Sequence, residues 1–147
     1  MRAMRKVSAA LLMWGLATGV TFADQVVYKA QMTPSSEVPP TTSHGAGEVT
    51  ATLDTSSKQL TWQGDYHKLT GPATMAHFHG PAPVGQNAGI QIPIDVAAKD
   101  SGKLKGEATL TDSQINDLES GKWYVNVHTA KYPGGEIRGQ LMPAKSY

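Results

Sequence analysis

Apolar side chains recur at every second position through most of this chain, and the spacing of a buried helix is nearly absent. Val26, Tyr28, Ala30 and Met32 share one parity, as a half-buried strand requires. Val49, Ala51 and Leu53 repeat the pattern, Thr55-Ser56-Ser57 turns the chain, and Leu60, Trp62 and Gly64 bring it back as the second arm of a hairpin. Further strands are expected over Ala73 to Gly80, Ile90 to Ile94, Lys103 to Leu110, Lys122 to Thr129 and Glu136 to Met142. Pro93 puts the short Ile90 segment at a sheet edge, because proline has no N–H to give to a second neighbour. Pro34 to Ser43, with three prolines, reads as loop. Thr111-Asp112-Ser113-Gln114 has the form of a capping box and predicts one short helix through Ile115 and Leu118, ended at Gly121. About seven or eight short strands, with turns roughly every eight to twelve residues, are the pattern of a β-sandwich or small barrel.

The same alternation separates three histidines from the core. In the Ala73 segment Ala76 and Phe78 face one way, and Met75, His77 and His79 face the other. In the Lys122 segment Trp123, Val125 and Val127 oppose Tyr124, Asn126 and His128. With Phe78, Val125 and Val127 in the interior, His77, His79 and His128 lie together on the outer face of the sandwich. The loops Pro81 to Gly89 and Ala130 to Gly135 are placed to cover them. His77 and His79 stand about 7 Å apart along their strand, close enough to converge on one ion. Three imidazoles leave a coordination position open, or filled by Met75, water or a carboxylate. Copper suits such a set because it heads the divalent affinity order and accepts imidazole and thioether together; zinc fits less well, since structural zinc takes four fixed ligands. His44 and His67 have no matched partner and read as surface residues.

Glu136 and Arg138 share a parity beside His128. As structure they read as an ion pair near the sheet end. As function, Glu136 would take a proton from a ligand imidazole and Arg138 would guide an anion. Asn126, next to His128, is expected to tie down a loop backbone, and Met75, Asn126, Glu136 and Arg138 are the candidates for an additional ligand or for support of the three histidines.

Composition narrows the setting. Arg2, Arg5 and Lys6 precede an apolar, small-residue run to Val20, and Thr21-Phe22-Ala23 offers small residues for cleavage. Residues 1–23 are therefore expected to be a removed secretory signal, with an uncleaved N-terminal anchor as the alternative, leaving 24–147 as a single domain in the periplasm or outside the cell, with no membrane span after cleavage. Of the 13 basic and 12 acidic residues, three basic ones leave with that segment, so the remainder carries a formal −2. Scattered lysines without an aromatic stripe give no support for nucleic-acid binding. The absence of cysteine excludes disulfides, thiolate metal sites and a Cys nucleophile. No nucleophile elbow and no phosphate-cradling glycine loop is present.

Two blocks carry a resemblance: Ala76-His77-Phe78-His79-Gly80, and Tyr124-Val125-Asn126-Val127-His128-Thr129 followed by Tyr132-Pro133-Gly134-Gly135-Glu136-Ile137-Arg138-Gly139. With them the chain closely resembles the CHRD-domain family, named for repeats in chordin and found also as short exported bacterial proteins. The resemblance spans roughly Val26 to Met142. It implies an all-β fold: an antiparallel Greek-key β-sandwich, immunoglobulin-like or copper–zinc superoxide dismutase-like, with one short helix. The histidine arrangement is similar to that of the dismutase sandwich, where a His-x-His strand and a later strand histidine bind copper. His77, His79 and His128 match those positions. The bridging histidine, the zinc-loop ligands and the disulfide of that enzyme have no counterpart here.

Three functions stay open at this point. The first is an exported copper-binding protein for metal buffering, delivery or resistance. The second is a superoxide-handling copper enzyme, with Arg138 steering an anionic substrate. The third is a metal-free protein-interaction module or homodimer, with Trp62, Trp123, Tyr124 and Tyr132 as its apolar interface.

Overall fold

The computed structural model describes residues 24–145, and the expected signal segment 1–23 lies outside them. Two antiparallel sheets face each other. The first takes β1 (Gln25–Met32), β2 (Ala46–Asp54), β3 (Gln59–His67), β6 (Gly102–Thr109) and β9 (Met142–Pro143), in the order β6-β3-β2-β1-β9. The second takes β4 (Ala73–His79), β5 (Ile90–Ile94), β7 (Tyr124–Thr129) and β8 (Ile137–Gln140), in the order β5-β4-β7-β8. β5 touches β6 across one seam of the sandwich, so β7-β4-β5-β6 follow one another in space as a Greek key. At the other seam Thr33 and Arg138 exchange backbone bonds of 2.9 and 3.1 Å, joining the end of β1 to β8. Gly139 lets the strands meet there, because a Cβ would stand 2.5 Å from the Gln31 carbonyl oxygen.

The core is built from the inward parity of both sheets. Tyr28, Ala30 and Met32 of β1, Val49, Ala51 and Leu53 of β2, and Leu60 and Trp62 of β3 meet Ala76 and Phe78 of β4, Val125 and Val127 of β7, and Ile137 of β8. Trp62 sets its edge on Phe78 with ring centres 5.1 Å apart. These burials are what the alternation demands, and they supply most of the driving force for closing the sandwich. β5 is an edge strand, as Pro93 requires. The single helix, α1 (Asp112–Glu119), carries both bonds of its capping box: Gln114 N donates to Thr111 Oγ1 at 3.2 Å, and Thr111 N donates to Gln114 Oε1 at 3.0 Å.

Two expectations are corrected. The last strand does not run unbroken from Glu136 to Met142. Leu141, fully buried and bonded from its N–H to the Trp123 carbonyl at 2.9 Å, pins the chain between the layers, and Met142–Pro143 emerges as an edge partner of β1. The aromatic interface is also absent. Trp62, Trp123 and Tyr124 are buried, and Tyr132 is half-buried, because the two tryptophans fill the sandwich and Tyr124 lies beneath a loop. Among the described residues no helix is long and apolar enough to cross a membrane.

Candidate metal centre

β4 and β7 are neighbours, and their register opposes Met75 to His128, His77 to Asn126 and His79 to Tyr124. All these side chains belong to the outer parity of the second sheet, so His128 lies diagonally across from His77. The three imidazoles are nevertheless buried, because the loops at 80–89 and 130–135 close over them through hydrogen bonds. His79 Nδ1 faces the Ala88 carbonyl at 3.0 Å, and His128 Nδ1 faces the Pro133 carbonyl at 2.9 Å. A backbone carbonyl only accepts, so Nδ1 of His128 carries the proton and Nε2 presents its lone pair.

That lone pair points at His77, whose Nδ1 lies 3.1 Å away. One nitrogen from each of the three rings falls within 4.8 Å of the others. Imidazole nitrogens bound at about 2.0–2.1 Å to one ion sit roughly 3–4 Å apart, so the widest pair needs to close by about 1–2 Å. The donor chemistry and the spacing both fit a borderline transition metal.

Burial acts on the charge state in the same direction. It lowers the proton affinity of all three histidines, and for His77 the neighbouring His128 and His79 add to the effect. The bonds to Ala88, Asn126 and Pro133 push back without reversing it. The cluster therefore offers neutral rings at neutral pH, the form that ligates.

Around the rings a second set of contacts fixes orientation. His79 stacks on Tyr124 with centroids 4.8 Å apart and planes 3° from parallel, and the Tyr124 hydroxyl donates to the same Ala88 carbonyl at 3.2 Å. Arg138, 1 % exposed, lays its guanidinium 3.5 Å from the Tyr124 ring centre. It donates to Gln86 O at 2.7 Å and to Asn87 Oδ1 at 3.1 Å, holding the covering loop down. Asn126 Oδ1 meets His79 Nε2 at 2.9 Å.

Glu136 and Arg138 form no ion pair. The Glu136 carboxylate, fully buried, instead accepts from Ser43 Oγ, Thr70 N, Thr70 Oγ1 and Thr129 Oγ1 at 2.5–2.8 Å, and bonds to none of the imidazoles. Burial alone would raise its pKa, but these donors outweigh that and hold it below the ordinary value. Met75 lies on the histidine face yet is 48 % exposed, so it is not a packing residue of the core. His44 and His67 are exposed and far from the cluster's register.

Sequence reasoning missed Glu37. It sits in the proline-rich loop, 3 % exposed, with Oε1 lacking a full hydrogen-bond partner. Its carboxyl packs against Asn126 Nδ2 beside Gly135, whose φ of +126° leaves no room for a Cβ there. Burial pushes the Glu37 carboxyl up to about 7, against the pull of the Asn126 amide and the Arg138 charge. A lone glutamate in an aperiodic loop has no pattern by which to be found; only the fold brings it beside Asn126, next to the three-histidine cluster.

The family model for the CHRD domain matches residues 28–141, which include every residue of this cluster. No curated protein and no solved structure matches the chain.

Proposed function

The chain belongs to the CHRD-domain family, and from the three-histidine cluster we propose that it is an exported copper-binding protein acting in metal buffering, delivery or resistance. The observation that carries this reading is the meeting of His77, His79 and His128 within 4.8 Å while all three are buried and shifted toward the neutral form. Solvent-exposed histidines that merely share a face would be charged part of the time and free to swing. These are buried, His79 and His128 are oriented by backbone carbonyls, and His128 is aimed at His77. Copper is favoured over zinc by the divalent affinity order and by a site in which the histidines fill only three positions. Export is supported by the basic-then-apolar character of residues 1–23.

Calorimetric titration of the metal-free protein with Cu(II), Cu(I) and Zn(II) tests the reading. One copper per chain is expected, bound more tightly than zinc, and lost in the His77→Ala/His79→Ala/His128→Ala variant. Equal, weak binding by both proteins would sink it. Metal analysis of protein taken from its native host then separates copper from other ions.

A further inference from the structure

His79 presents a problem that hydrogen bonding alone does not solve. Both of its ring nitrogens face carbonyl oxygens: Nδ1 meets Ala88 O at 3.0 Å and Nε2 meets Asn126 Oδ1 at 2.9 Å. A neutral imidazole has one N–H, so only one of these contacts can be a hydrogen bond. The Ala88 carbonyl is a fixed backbone acceptor and takes that proton. What remains is a lone pair on Nε2 facing a lone pair on Oδ1 between two buried side chains.

Turning the amide of Asn126 end for end does not relieve this, because it would set Oδ1 against the Gly134 carbonyl oxygen instead. The other end of the amide, Nδ2, lies by the Glu37 carboxylate and 3.5 Å from Gly134 O. Both are acceptors, so they draw the NH₂ toward themselves and leave Oδ1 aimed at His79. Asn126 is also central in register. It is the direct cross-strand partner of His77 and lies two residues from His128 on the same face. Two ligands at about 2.0–2.2 Å from one ion and near right angles are about 2.9 Å apart, the separation observed between His79 Nε2 and Asn126 Oδ1.

We propose that Asn126 Oδ1 is the fourth ligand of the metal centre, with Glu37 as the positioning residue that turns the amide oxygen toward the ion. This rests on the three-histidine reading and deepens it. The resulting set is three imidazole nitrogens and one amide oxygen. Such a set favours a divalent ion over Cu(I), because oxygen is a hard donor and Cu(I) prefers sulfur and nitrogen.

The test loads Cu(II) into the full-length wild type, Asn126→Ala, Asn126→Asp and Glu37→Gln, and records continuous-wave and pulsed electron paramagnetic resonance. The wild type carries asparagine labelled with ¹³C at the side-chain carbonyl, and circular dichroism checks folding. Expected are a three-nitrogen pattern in every folded variant, a ¹³C coupling in the wild type that vanishes in Asn126→Ala, and at least tenfold weaker Cu(II) binding by that variant. Asn126→Asp should restore Cu(II) affinity, Glu37→Gln should weaken it, and Cu(I) affinity should stay within threefold throughout. If Asn126→Ala fails to fold, the ¹³C coupling in the wild type and the behaviour of Asn126→Asp decide. A three-nitrogen signal without ¹³C coupling, and with Asn126→Ala binding Cu(II) like the wild type, overturns the proposal and leaves the histidine reading standing. A wild type with no histidine-dependent Cu(II) signal overturns both.

Discussion

His77 Nδ1 and His128 Nε2 stand 3.1 Å apart although 51 residues separate them along the chain. The contact exists because β4 and β7 are adjacent and their register sets the two rings on one diagonal. In the metal-free protein one proton between the two nitrogens satisfies both. A bound ion would replace that proton, so the pair is prepared for the exchange without rebuilding the sheet.

Acid should weaken the metal-free fold through this cluster. The folded-state proton affinities of His77, His79 and His128 lie below the ordinary value of 6.5. Below about 6.5 the unfolded chain takes up protons that the folded one resists. The stability they contribute is thus whole above that pH and lost as pH falls through the lowered values. Urea unfolding between pH 7 and pH 4.5 should show this slope, and the triple alanine variant should flatten it. An equal slope in both proteins would contradict the assignment.

Glu37 acts with the opposite sign. Its folded-state pKa is raised from 4.5 to about 7, so its contribution is whole below 4.5 and drains as pH rises through 7. Glu37→Gln should be more stable than the wild type by about 2–3 kcal/mol at pH 8, with the advantage shrinking toward pH 5. The same substitution should weaken Cu(II) binding. A residue whose removal strengthens the fold and impairs the site is one retained for what it does there.

Glu136→Gln should cost about 2–4 kcal/mol, because the amide nitrogen would confront donors in place of an acceptor and weaken charge-assisted bonds. The carboxylate's lowered pKa makes its contribution whole above 4.5 and lost as pH falls through the folded-state value. Chemical denaturation at pH 7 and pH 3.5 measures both the loss and its disappearance in acid. Copper affinity measured on the folded fraction should change little, since Glu136 bonds to none of the three rings.

Arg138→Lys should loosen the covering loop. Lysine keeps the charge but cannot span Gln86 O and Asn87 Oδ1 while stacking on Tyr124. Amide hydrogen exchange at residues 84–89 should accelerate at least tenfold, with metal release faster by a similar factor. Unchanged exchange there would show that the loop is held by other contacts.

The layout of the sheets was largely legible in the sequence, since alternation separated Phe78, Val125 and Val127 from the histidines opposite them. Alternation also placed Trp62 with Leu60 and Trp123 with Val125, so reading those tryptophans as an exposed interface went against the pattern itself. Contacts made by aperiodic segments were not legible. Glu37 reaches Asn126 from a proline-rich loop, and Glu136 gathers partners from Ser43, Thr70 and Thr129. Parity paired Glu136 with Arg138 on the assumption that both belong to one strand. Glu136 instead precedes β8, and its carboxylate turns to hydroxyls.

That buried carboxylate has a consequence for a chain without sulfur bridges. By gripping residues 43, 70 and 129 at once, Glu136 fastens three distant stretches of backbone where a disulfide-stapled domain would use a covalent crosslink. Such a clasp is blind to redox potential. Thiol reductants leave it closed, whereas acid, by protonating the carboxylate, loosens it.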